Sequence, residues 1–99
     1  MFGKGMMEKM QAMQGQMEVI KARLETLTVQ GEAENGKLVV LINGNRKILD
    51  IKIDPSLLEG DQEELQELLV LATNRAIEQA DNLHNTEMQG AAMGMMPNQ

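Results

Sequence analysis

The chain has no cysteine, tryptophan or tyrosine, and one phenylalanine in 99 residues. The missing cysteine excludes a disulfide framework and thiolate metal sites, and agrees with a reducing cytoplasm. Without large aromatics, any core must come from Leu, Ile, Val and the ten Met, presented on long helix faces. Long apolar runs are also missing, and none approaches the roughly 20 residues that span a bilayer. Residues Met1 to Met10 are interrupted by Lys4, Glu8 and Lys9, so they lack the apolar segment of a signal peptide. A soluble, cytoplasmic protein with no membrane partner is expected. Positive charge is scarce as well. The net charge of −6 argues against a general attraction to polyanions, but the deficit is uneven. Residues 1 to 57 hold eight Lys/Arg against seven Asp/Glu, or +1, and residues 58 to 99 hold one against eight, or −7.

What is present is patterned. Met6, Met10, Met13, Met17, Ile20, Leu24 and Leu27 alternate spacings of four and three, which places them on one stripe of a first long helix with heptad periodicity. Gly15 falls on the outer face of that helix and costs about 1 kcal/mol relative to Ala. The period then changes to two. Thr28, Val29 and Gln30 run into Gly31 and a polar turn at Glu34, Asn35 and Gly36. Lys37 to Ile42 forms a continuous apolar run, suited to a central strand covered on both faces, and Asn43, Gly44 and Asn45 supply hairpin chemistry. In a third strand, Arg46 to Asp54, the residues Leu49, Ile51 and Ile53 oppose Asp50 and Lys52, and Pro55 ends the pairing. Asp61 and Glu64 open a second long helix in the manner of a capping box. Its apolar residues Leu65, Leu68, Leu69, Ala72, Ala76, Ala80 and Leu83 keep helical spacing to about His84. Residues 88 to 99 show no period and read as a disordered Met- and Gly-rich tail after a single domain at 1 to 87.

The fold class is therefore α+β: helix, three-stranded antiparallel sheet, helix. At this length a monomer buries only about two-thirds of the surface its unfolded chain exposes. One sheet and one covering helix also leave the first helix's stripe in water. A homodimer with projecting helices is expected, with Met10, Met13, Met17, Ile20 and Leu24 at its interface.

Chemistry-bearing constellations are absent. No nucleophile is paired with a base, no carboxylate pair lies in a recognisable cleft motif, and no glycine-rich phosphate cradle leads into a helix. The sole serine, Ser56, follows Pro55, where a backbone hydrogen bond in the turn accounts for it. No enzymatic activity, cofactor, metal or small-molecule substrate is expected. The Met stripe offers soft ligands of the kind copper takes, but it continues smoothly into Ile20, Leu24 and Leu27, which favours apolar packing. His84 has no second His or Cys beside it and reads as a surface residue.

Six short stretches follow one another along the chain. They are the Met-Phe-Gly-Lys opening into a Met- and Gln-rich helix, Val-Gln-Gly-Glu-Ala-Glu-Asn-Gly-Lys-Leu at Val29 to Leu38, and Ile-Asn-Gly at Ile42 to Gly44. Ile-Asp-Pro-Ser-Leu-Leu follows at Ile53 to Leu58, then an acidic turn and Leu-Leu-Val-Leu-Ala-Thr-Asn-Arg-Ala. In this order and at this spacing they resemble the YbaB/EbfC family of bacterial nucleoid-associated proteins. It implies an α+β homodimer shaped like tweezers that binds DNA and associates with the nucleoid, with no cofactor.

Seven cations are candidates for DNA contact: Lys4, Lys9, Lys21, Arg23, Arg46, Lys47 and Lys52. By heptad position Lys9 and Arg23 fall at g and Lys21 at e, flanking the apolar seam. Two readings stand. The rim meets phosphates, or its long stems cover the seam while the heads are solvated and partly paired, as Lys21 with Glu25. Arg46, Lys47 and Lys52 similarly extend the footprint or protect a sheet edge with charge. No helix carries the Arg, Asn and Gln cluster of a major-groove reader, so the expected binding is to the backbone of duplex DNA with little sequence specificity. The rival is a dimeric protein-interaction scaffold that docks a partner through its acidic second helix.

Overall fold

The computed structural model describes residues 2–94, and the side chains of residues 5–90. Helix α1 (Phe2–Thr26) leads into strands β1 (Thr28–Ala33), β2 (Leu38–Asn43) and β3 (Ile48–Ile53). A single-turn helix α2 (Pro55–Leu58) and a long helix α3 (Gln62–Gly94) follow. The sheet is antiparallel in the order β1-β2-β3. The expected fold class is what the structure has. Strand β1 continues through Gly31 to Ala33, further than its polar residues suggested, because Gly31 lies under a helix and not in a turn.

Cross-strand partners share a face, so the register places Val29, Gly31 and Ala33 beside Ile42, Val40 and Leu38. Helix α3 covers that face. Ala72, Ala76 and Ala80 recur every fourth residue, and all three are fully buried against Leu38, Val40 and Ile42. Small residues on the helix and a glycine on the strand bring the two backbones close. A Cβ at Gly31 would lie 2.2 Å from the Ala76 nitrogen and 2.3 Å from the Ala72 carbonyl oxygen.

Coverage is one-sided. The expectation that β2 is enclosed on both faces is corrected, because among the described residues Val39 and Leu41, on the face away from α3, are only half-buried. Strand β3 is covered still less. A bulge skips Leu49, so that Leu41 opposes Asp50 while Ile42 opposes Ile48. Helix α3 lies over β1 and β2, which leaves Ile48, Leu49 and Ile51 between 42% and 50% exposed.

Both turns rest on left-handed residues. Glu34, Asn35 and Gly36 have φ of 54°, 56° and 85°, and Arg46 has φ of 64°. In the β2–β3 turn the buried Asn43 side chain organises the loop, its Oδ1 accepting from the Asn45 and Lys47 amides at 2.9 and 3.0 Å. After β3, Asp54 caps α2 by accepting the Ser56 amide at 2.9 Å, with Pro55 in the first helical position. Asp61 accepts the Glu63 amide at 3.2 Å at the start of α3.

The molecule measures 69 × 25 × 18 Å with a radius of gyration of 19.2 Å, against about 13 Å for a compact chain of 100 residues. The helices cause the difference, since 25 and 33 residues span roughly 38 and 50 Å at 1.5 Å per residue. The expected tail is also corrected over 88–94, which continue α3. Met88, Ala91, Ala92 and Met93 are good helix formers, and Met88 packs into a cleft with α1. Residues 95–99 lie outside the described residues.

Candidate nucleic-acid interface

The two projecting helices meet where α1 enters the body. The C-terminal carbonyls of α1 have no partners within the helix, and the β2–β3 turn supplies them. The Gly44 amide donates to the carbonyls of Leu24 and Leu27 at 2.9 and 3.1 Å. Asn45 Nδ2 donates to the Lys21 carbonyl at 3.0 Å and to a Glu25 carboxylate oxygen at 2.7 Å. Leu24 is buried to 1% exposure against this turn, and a Cβ at Gly44 would press on it at 2.6 Å. Leu24, expected at a dimer interface, is therefore enclosed by its own chain.

The rest of the seam divides in two. Met6, Met10, Met13 and Met17 are all more than half exposed. Ile20 is half-buried, and with Met17 and Leu24 it faces His84 and Met88 of α3 across an apolar cleft of about 290 Å³. His84 is thus a half-buried wall of this cleft, where the sequence suggested an open surface position.

The candidate cations fall into two groups. Arg23 Nε pairs with Glu87 at 2.7 Å, Arg46 Nε with Asp81 at 2.5 Å, and Lys47 Nζ with Glu25 at 3.0 Å. The suggested Lys21–Glu25 pair is replaced by Lys47–Glu25, because the turn docks on that side of α1. Its carboxylate receives both Asn45 and Lys47, and these hydrogen bonds hold the Glu25 pKa below the usual glutamate value. Among the described residues, Lys9 and Lys21 on α1 and Lys52 on β3 are exposed and belong to none of the three ion pairs. Lys52 stands opposite Val39 on the sheet face away from α3, apart from the α1 group. The Lys4 side chain lies outside the described residues.

Sequence reasoning found these cations but missed their acid partners. Glu87 and Asp81 are remote in sequence from Arg23 and Arg46, and no local spacing rule reaches them. Arg75 and Lys37 were also passed over. Arg75 Nη1 donates to the Glu32 carbonyl at 2.8 Å, fastening α3 to β1, and Lys37 contributes to lowering the Asp54 pKa, after the Ser56 hydrogen bonds. Among the described residues, no group of three or more His, Cys, Asp and Glu is placed to hold a metal ion, and no helix is long and apolar enough to cross a membrane.

Comparison with known proteins agrees with this architecture. The model of the YbaB/EbfC DNA-binding family matches residues 2–96. A nucleoid-associated protein of Flavobacterium johnsoniae is 38% identical over 93 residues, covering 94% of this chain and 87% of the relative. One from Chlorobaculum tepidum is 36% identical over 91 residues, covering 92% and 81%. Among solved structures, an uncharacterized protein of Helicobacter pylori superposes with a TM-score of 0.75 at 22% identity, over 96% of this chain and 97% of the other. That likeness concerns the fold.

Proposed function

The chain belongs to the YbaB/EbfC DNA-binding family, and from that premise we propose that it is a homodimeric nucleoid-associated protein of the bacterial cytoplasm that holds duplex DNA through the phosphate backbone. The observation that carries the reading is the placement of Lys9 and Lys21. Both are exposed and outside the ion pairs, on a helix that leaves the body. Lysine heads of this kind meet phosphates as point charges and carry no base information. Little sequence specificity follows. Lys52, Arg23, Arg46, Lys47 and Lys4 belong to the wider footprint.

The homodimer is assigned to the uncovered half of the sheet. Only Met6 to Met17 of the heptad stripe remains open, since Ile20 and Leu24 face their own chain. That is two heptads, where a coiled coil ordinarily sustains three to four or more. Strand β3 combines a free ladder edge with the exposed Ile48, Leu49 and Ile51, a combination that in a lone chain invites pairing with another strand. The Met10, Met13 and Met17 stripe is the second reading, supported by its own exposure.

The decisive experiment is binding of random duplex DNA by the purified chain across a salt series. Lys9 and Lys21 from two protomers neutralise about four phosphates, so log affinity falls against log salt with a slope of about −4. Lys9→Gln with Lys21→Gln is expected to weaken binding to all sequences alike and flatten the slope. A wild-type chain that ignores DNA at low salt favours the scaffold reading instead, with Glu63, Glu67 and the exposed Val70 of α3 as the docking face.

A further inference from the structure

Half of the six candidate cations with described side chains are already held by carboxylates of the same chain. All three pairs sit at one junction, where the end of α1, the β2–β3 turn and the middle of α3 meet. Arg23 and Glu25 come from α1, Arg46 and Lys47 from the turn, and Asp81 and Glu87 from α3. The acids are not loose counter-ions. The Glu87 side chain is only 19% exposed against 61% for Arg23, so its carboxylate is fixed in place by packing while the guanidinium faces solvent. Glu25 is fixed differently, one oxygen on Lys47 and the other on Asn45.

We propose that Glu25, Asp81 and Glu87 are built-in competitors of DNA phosphate: each carboxylate occupies a cation of the binding surface, so DNA engagement at the junction is an exchange of partners. This rests on the DNA-binding reading above and adds its regulation. Because the cations are about half exposed or more, each pair is weak and exchangeable. The acids thereby keep affinity low and its dependence on salt shallower than the free cations would give, and the protein remains mobile on DNA. A junction occupied by its own acids also explains how a chain of net charge −6 carries a DNA surface without a large cationic excess.

The test uses the full chain and fluorescein-labelled random duplex, with anisotropy read from about 50 to 200 mM salt. The variants are Glu87→Gln and Asp81→Asn. Glu78→Gln serves as control, since Glu78 is an exposed α3 acid outside the three pairs. Removing any acid raises the net charge equally, so only partner release separates the variants from the control. Glu87→Gln is expected to tighten binding about two- to fivefold beyond Glu78→Gln at low salt. Its slope steepens by about 2, one phosphate contact for each protomer of a dimer. The gain disappears when Arg23→Gln is added, because the released cation is then gone. Asp81→Asn repeats the effect through Arg46 and guards against an idiosyncrasy of one variant. Glu87→Gln and Asp81→Asn that match Glu78→Gln, or a gain that survives Arg23→Gln, overturn the inference while leaving DNA binding intact. A wild-type chain without measurable DNA binding overturns the functional reading and this inference together.

Discussion

Alanine at Gly31 is expected to lift α3 off the sheet. The added Cβ would sit 2.2 Å from the Ala76 nitrogen, 2.3 Å from the Ala72 oxygen and 2.8 Å from the Ala76 Cα. Ordinary contacts at such a carbon begin at 3.4 Å, so one backbone must retreat by 3.4 − 2.2, or 1.2 Å. No rotamer change absorbs this, because every clashing atom is main chain. Retreat opens the layer in which Ala72, Ala76 and Ala80 cover Leu38, Val40 and Ile42, all of them at 0% exposure. Overpacking ordinarily costs about 1 to 3 kcal/mol and occasionally more, and a backbone-to-backbone clash under the main helix belongs at the upper end. About 3 kcal/mol is a large share of the 5 to 15 kcal/mol that holds a domain together. At about 4 to 8 °C per kcal/mol for a chain of this size, the melting temperature falls by roughly 12 to 24 °C. Circular dichroism melts at one protein concentration measure it, the concentration being held because dimer stability depends on it. Ala76→Gly added to Gly31→Ala gives no rescue, since it removes no clashing atom. A Gly31→Ala protein melting within about 4 °C of the parent refutes the close-approach argument.

Asn43→Ala removes the acceptor of two turn amides. It is expected to lower stability by about 2 kcal/mol, with faster hydrogen exchange at Asn45 and Lys47 as the local signature. Ile51→Glu is expected to give a folded monomer in sedimentation, while Met13→Glu with Met17→Glu leaves the dimer intact. The reverse outcome moves the interface to the α1 stripe. The carboxyl of Glu25 titrates below its usual 4.5, lowered first by Asn45 and then by Lys47, and that of Asp54 below 3.8, lowered by Ser56. Both are depressed in the folded state, so their stabilisation is present above those values and lost as pH falls through the lower folded ones. Carbon-detected NMR titration checks the direction, and Glu25→Gln with an unchanged acid-unfolding curve contradicts it.

The sequence alone determined the fold class, because its signals were local. A four-three spacing forces a helix stripe, turn residues at Asn35-Gly36 and Asn43 to Asn45 force hairpins, and Pro55 stops a strand regardless of surroundings. The family was legible for the same reason, as six short motifs in order. Where local signals ran out, so did the reading. The role of Gly31 was not legible, because close packing and turns select glycine alike and only the position of α3 separates them. Helix α3 lies over β1 and β2 and leaves Ile48, Leu49 and Ile51 of β3 exposed, a matter of where a helix lies over three strands that no periodicity records. The candidate cations were visible as residues, but their availability was not. Arg23 and Arg46 find Glu87 and Asp81 across the fold, and Lys47 takes the glutamate that helical spacing assigned to Lys21. Charge is a property of the residue, while its pairing is set by distances that exist only once the helices have been laid against the turn.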